Sequence, residues 1–270
     1  MKTARSLEKL AKKEPEVRFV IDEDYLIGHL LYAIKAMGLS SKKFNKDIIA
    51  LRDYACNNAS AQYRLLTKKG DVLLRPIAVG KNNSAKTING LQSYLGYIKK
   101  SEQYKRVLKQ TRGYLKFCQS SWKEQLRKSS RIINGISGLK FNRQYIVYIT
   151  HPSLRNGRYL GNNRLTFGHN EDFKNYSVIY IWHEIMHSKL PSNDIGHAIL
   201  EFAVDEELRT QLNGGGYPPF EGHPGLSKVK LKLLPYWRKY LTSKNRKIIP
   251  FYKTIAKMPQ FETYLKRFRV

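Results

Sequence analysis

Cysteine is scarce in this sequence: Cys56 and Cys118 are the 2 among 270 residues. They stand far apart and no C-x-x-C occurs, which argues against a zinc ribbon, a redox dithiol or a disulfide scaffold. That usage makes a reducing compartment the default. Long apolar runs are missing as well. No stretch approaches the roughly 18 apolar residues of a membrane span. The N-terminal "MKTARSLEKLAKKEPEVRF" also lacks the continuous apolar segment of a secretory signal. A cytoplasmic location is therefore expected. Acidic residues are few: 21 Asp and Glu stand against 49 Lys and Arg, a net charge of +28. A field of that sign favours polyanions, such as nucleic acid, an anionic membrane surface or acidic proteins. Hydrophobic residues at 41% and aromatics at 12% still allow a sizeable core, so wholesale disorder is not expected.

The apolar patterning changes along the chain. Residues 22–38, "DEDYLIGHLLYAIKAMG", carry Leu26, His29, Leu30 and Ala33 at helical spacing, with Gly38 in place for a C-cap. Residues 45–66 continue in that style, and 68–80 read as a break holding a short strand or extended connector. Helical spacing resumes to about residue 135. Between Lys99 and Arg131 the chain has 11 basic residues and two acids, Glu102 and Glu124. "NGISGLKFN" (134–142) is a natural boundary. Beyond it, "QYIVYIT" (144–150) reads as a strand. "NGRYLGNNR" is turn-rich, and "NRLTFG" (163–168) alternates like a short edge strand. "NYSVIYIWHEIMHSKL" reads as a helix with Ser177 as N-cap and Pro191 as stop. "HAILEFAVDEELRTQLN" (197–213) is a second helix closed by Gly214–Gly216. The tail holds two basic amphipathic stretches. An acidic island at 171–221, with nine acids against Lys174, Lys189 and Arg209, sits between basic flanks; from His223 onward the only acid is Glu262.

Inside that island His183, Glu184 and His187 form H-E-x-x-H. Two histidines four apart lie one turn apart on one helical face, so both imidazoles can reach one metal ion. The glutamate between them lies beside that face, where it can take a proton from an attacking water and return it to a leaving amine. The motif occurs by chance in on the order of one chain in a hundred of this length, so it is a moderate signal by itself. Apolar flanks on a helical segment raise its weight.

The succession of strand, short strand, H-E-x-x-H helix, loop and acid-bearing helix, over about residues 144–213, resembles the core of the zincin metallopeptidases. The resemblance implies one zinc ion per chain, a peptide or protein substrate, and an extended substrate pairing with an edge strand, for which "NRLTFG" is the candidate. The metzincin subgroup is excluded, because Leu190 and Asn193 occupy its glycine and third-histidine positions. A catalytic zinc needs a third protein ligand and an open position; His197, Glu201, Glu206 and Glu207 are the candidates. Glu206 has the spacing of aminopeptidase-type gluzincins, and Glu207 the thermolysin-like one.

Facing argues for another choice. At about 100° per residue, Val204, Leu208 and Leu212 make an apolar stripe on which Glu201 projects, with His197 and Asp205 on the same side. Glu206 and Glu207 fall with Thr210 and Gln211 on the opposite side. A carboxylate on an apolar face is costly unless something pairs it. Glu201 is thus the preferred third ligand, with Asp205 accepting the N–H of a ligating imidazole, similar to the E-x-x-x-D arrangement of gluzincins. His197 stays open as a rival: a third histidine on the next helix followed by "AILEF" resembles the SprT-like DNA-associated proteases, though Ala198 stands where they have glycine. For a transition-state donor the loop "GGGYPPFEGHPG" offers Tyr217 and His223.

The expectation is an α+β, mostly helical chain with a basic helical region at 1–140. A zincin-like catalytic core follows at 141–225, made of a small sheet plus the H-E-x-x-H helix and a second ligand helix, and then a basic helical tail at 226–270 packed on that core. The expected activity is zinc-dependent peptide hydrolysis. The alternatives are a nucleic-acid-associated metalloprotease of SprT-like type, and a nucleic-acid-binding protein whose H-E-x-x-H is incidental. The basic flanks make nucleic acid or another polyanion a candidate partner.

Overall fold

A computed structural model of the chain describes residues 14–36, 45–68, 77, 91–141, 143–216 and 222–265. The chain is α+β and mostly helical, with one four-stranded sheet. In order, β1 is Glu16–Val20, α1 Glu23–Ala36, α2 Lys46–Asn58, α3 Ser60–Lys68, α4 Leu91–Lys100 and α5 Glu102–Ser137. The strands β2 Gln144–Ile149, β3 Asn156–Gly161 and β4 Arg164–Gly168 follow. Next come α6 Tyr176–Met186, α7 Asp194–Glu201, a π-helical stretch Phe202–Leu208, α8 Arg209–Asn213, α9 Ser227–Thr242 and α10 Ile248–Ile255. Gly38 and most of the break expected at 68–80 lie outside the described residues. Among the described residues no helix is long and apolar enough to cross a membrane.

The sheet corrects one expectation. Its order is β1-β2-β4-β3, so "NRLTFG" forms an interior strand rather than an edge. β4 pairs parallel with β2, through Val147 opposite Leu165, and antiparallel with β3, through Arg158 opposite Thr166. Leu165, Thr166 and Phe167 are all buried, as an interior strand covered on both faces requires. The edges are β1 and β3, the latter built from the "NGRYLG" that reads as turns.

The chain divides into two compact units: residues 18–119 with 146–170, and residues 1–17 with 120–145 and 171–270. These do not follow the expected boundaries at 140/141 and 225/226. α5, one unbroken helix of 36 residues, contributes residues to each unit, and α9 packs on α7.

The first unit buries Leu26, Ile27, Leu30, Ile48, Leu51, Leu95, Ile98 and Val107 in one apolar cluster. In the second, the Trp182 indole is fully buried, 5.4 Å from the ring of Trp122 and 5.1 Å from that of Phe141, and its N–H donates to Ser129 Oγ at 2.9 Å. Emptying such a site costs about 3–5 kcal/mol. Trp182 immediately precedes His183, so this packing fixes the helix that carries the motif.

Candidate metal centre

α6 begins at Tyr176, with Asn175 as N-cap in a left-handed conformation and without a side-chain cap bond. The orphan N–H of Ser177 is instead taken by Glu171 Oε1 at 2.9 Å, so Ser177 lies inside the helix and is not its cap. The helix ends at Met186, with His187 as C-cap in a helical conformation, and closing turns carry the chain to Leu190, just before Pro191. H-E-x-x-H therefore occupies the last turn of α6. α7 starts behind Asn193, whose side chain accepts the Gly196 N–H at 2.8 Å and donates to Tyr252 Oη at 2.7 Å. Gly196 must be glycine, because a Cβ there would lie 2.2 Å from the Pro191 carbonyl oxygen. This tight entry sets the start of α7 and with it the position of His197.

Three imidazoles meet where α6 and α7 pack. The ring centroids of His183 and His187 are 5.1 Å apart, those of His183 and His197 5.4 Å, and those of His187 and His197 4.8 Å. One ligating nitrogen from each of the three lies within 4.8 Å of the others, so the group could hold a metal ion. Among the described residues there is one other such group, His197 with Glu201 and His223, and Glu201 shares no group with both His183 and His187. The structure thus brings His197, not Glu201, to the two motif histidines. Glu184 is buried beside them.

The electrostatics differ around each ring. His183 Nδ1 lies 3.1 Å from both carboxylate oxygens of Asp205. Burial alone would depress this histidine, but the Asp205 carboxylate, helped by Glu184 and Glu201, outweighs it and raises the pKa to about 9. With Nδ1 keeping its proton towards Asp205, a metal would take the place of the second proton, on Nε2. His187 is pushed down to about 3, chiefly by burial and further by His183 and His223. His197 is depressed by burial and by the same neighbours, together with Lys230. Two of the three imidazoles are therefore held neutral, the form a metal requires. Three imidazoles with buried carboxylates close by make a donor set suited to a divalent cation, and the residues fit such an ion. The Tyr180 ring stacks on His183 at 5.3 Å with 15° between planes, backing the imidazole from one turn earlier in α6.

No family model, no curated protein and no solved structure matches this chain.

Glu201 is wholly buried and has partners other than the motif histidines. Its Oε1 lies 2.6 Å from His223 Nδ1 and accepts the His223 backbone N–H at 2.9 Å. Oε2 is 3.4 Å from Lys230 Nζ, which also pairs with Glu206 Oε1 at 2.7 Å. Burial raises the Glu206 pKa against the pull of Lys230. Glu207, expected on the polar side, is also buried. The π-helical stretch Phe202–Leu208 accounts for this: each residue there turns the chain by less than 100°, so the facing calculated for an ideal α-helix drifts across it. Tyr217 lies outside the described residues.

Three contributors escape a reading of the sequence alone. Lys230 sits within the buried stripe Leu226, Val229, Leu233 and Trp237, so a lysine at an apolar-period position was the available signal. Gly222, with φ +77°, passes so close to Glu201 that a Cβ would lie 2.1 Å from Oε2. No pattern in the sequence marks it. Tyr180 had its i−3 spacing to His183 as a sign.

Proposed function

We propose that this chain is a metal-dependent peptidase of zincin type, in which His183, His187 and His197 hold one zinc ion and Glu184 is the general base. The observation that carries the reading is the convergence of three imidazole nitrogens within 4.8 Å, with Glu184 between the two that share α6. Three protein ligands leave the open position a catalytic site needs, whereas structural zinc sites close with four. When bound, the zinc supplies Lewis acidity that polarises a scissile carbonyl and acidifies water. Glu184 takes the proton of the attacking water and passes it to the leaving amine, a transfer worth typically 10²–10⁴ in rate. Asp205 holds the His183 ring with Nε2 free to ligate. His223, its ring centroid 4.6 Å from that of His197, supplies a donor for the developing oxyanion in its doubly protonated form, with Nδ1–H donating to Glu201 Oε1 and Nε2–H serving as that donor.

The test is metal analysis joined to hydrolysis of an unstructured protein such as casein. The expected result is about one zinc per chain, matching the one three-imidazole group found among the described residues. Proteolysis should be lost on removing the metal and in Glu184→Gln, which keeps its zinc. A chain purified and reconstituted without taking up metal, or a Glu184→Gln variant as active as the original, overturns the reading.

A further inference from the structure

We propose that the C-terminal helical segment, residues 227–257, is a docking face for the phosphate backbone of double-stranded DNA. Lys228, Lys232, Arg238, Lys239, Lys244 and Lys247 are all exposed there, and among the described residues none of them makes an ion pair. α9 sorts its cations by face. Lys230, turned inward, is buried and neutralised by Glu201 and Glu206, while Lys228, Lys232 and Lys239, four and seven residues apart, share the outward face. Lys253 on α10 and Lys257 just beyond it extend the exposed charge, and Glu262 is the only acid after residue 222. Like charges gathered without counter-charges repel one another, and a polyanion both removes that repulsion and releases its own condensed counterions.

The patch also selects among polyanions. A membrane-surface helix needs an apolar face to insert, but the apolar face of α9, Val229, Leu233 and Trp237, is buried within the protein. Leu231, at 72% exposure, is the one large apolar side chain that protrudes from this segment. Single-stranded nucleic acid is held by rings on which bases stack. Among the described residues no aromatic of 227–257 is exposed, and Trp237 and Tyr240 are buried. A protein partner would seek an apolar hot spot, which a face of lysines and one leucine does not offer. Phosphates on a duplex ask only for spaced cations on a rigid support.

The experiment measures binding of the full chain to a fluorescein-labelled DNA duplex of about 20 bp by anisotropy, over a salt series starting near 50 mM, since each phosphate contact contributes about −0.9 to the slope of log K against log salt. The variant combining Lys228→Gln, Lys232→Gln, Arg238→Gln and Lys239→Gln should bind at least tenfold more weakly, with the slope shrunk by about 2 or more. These side chains lie on the surface, so circular dichroism and metal content should be unchanged. Charge reversal at Lys228 and Lys239 to Glu should weaken binding further. No binding by the unmodified chain, an unchanged affinity and slope in the variants, equal binding of a single strand of the same length, or binding of phosphatidylserine vesicles in preference to the duplex would each overturn the proposal. Binding is read without any assay of proteolysis, so its failure leaves the peptidase reading intact, and the reverse holds.

Discussion

Oε1 of Glu201 lies 2.6 Å from His223 Nδ1 and takes the backbone N–H of the same residue at 2.9 Å, across 22 positions of sequence. One buried carboxylate thus fixes both the main chain and the ring of a residue on the segment leading into α9. Lys230 supplies the counter-charge that makes its burial tolerable. A metal ligand and a holder of His223 make different demands of Glu201, and they can be told apart.

Glu201→Gln keeps the side chain's size and removes its charge. With three imidazoles as ligands, the variant should retain about one zinc per chain and lose roughly 10-fold or more in kcat, because His223 is no longer held by a charged acceptor. Metal content by mass spectrometry, measured beside turnover, checks this. Loss of the zinc itself would return Glu201 to the ligand set.

Gly222→Ala tests the same contact from the other side. The new Cβ would lie 2.1 Å from Glu201 Oε2, at a φ of +77° that L residues rarely adopt. Strain of this kind costs on the order of 1–3 kcal/mol. Thermal unfolding should show that loss, together with a fall in turnover at unchanged metal content.

The motif and its surroundings were legible in the sequence to different depths. The pair His183 and His187 follows from spacing alone, since four residues make one helical turn. The helix after it follows from its apolar period. Whether His197 or Glu201 joins the pair does not follow, because it depends on how Asn193 and Gly196 set the start of α7 and on a wide π turn at Phe202–Leu208. Neither has a signature at 100° per residue. Glu201 does project inward, as its apolar stripe requires, but a carboxylate on a buried face needs only some partner, and Lys230 and His223 are partners as good as a metal. In the sheet, the alternation of "NRLTFG" identifies a strand correctly but cannot rank it within the sheet, which is a matter of long-range pairing. β1, "EVRFV", is masked by its charged flank, which leaves only four alternating residues and Val20 to mark a strand. "NGRYLG" has the composition of turns and becomes β3 by pairing antiparallel with β4.

Asp205→Asn should weaken the centre without emptying it. The 3.1 Å contacts to His183 Nδ1 orient that imidazole and increase its basicity. Losing such an acceptor's charge typically costs 10–100-fold in metal affinity. Competition against a chromophoric chelator at fixed pH measures it, and an affinity within a factor of two of the original would mean that Asp205 has no part in holding the metal.

A pH effect is expected far from the metal, at His151. This residue is buried; its Nε2 lies 2.9 Å from Gln110 Oε1 and its Nδ1 accepts the Ser153 N–H at 3.2 Å. Both nitrogens are satisfied in the neutral ring, and a second proton on Nδ1 would face the Ser153 donor. Burial, against a weaker opposing pull from Asp47, lowers the pKa from 6.5 to about 4. The unfolded chain therefore binds this proton near pH 6.5 while the folded chain does not until about pH 4. Between those values the unfolded state holds more protons, so the contribution is complete above pH 6.5 and is lost as pH falls to about 4. The loss should be on the order of 3 kcal/mol. Denaturant unfolding at a series of pH values should show stability falling through this window, and His151→Gln should flatten that part of the curve. An equal slope in the variant would assign the acid sensitivity to other groups.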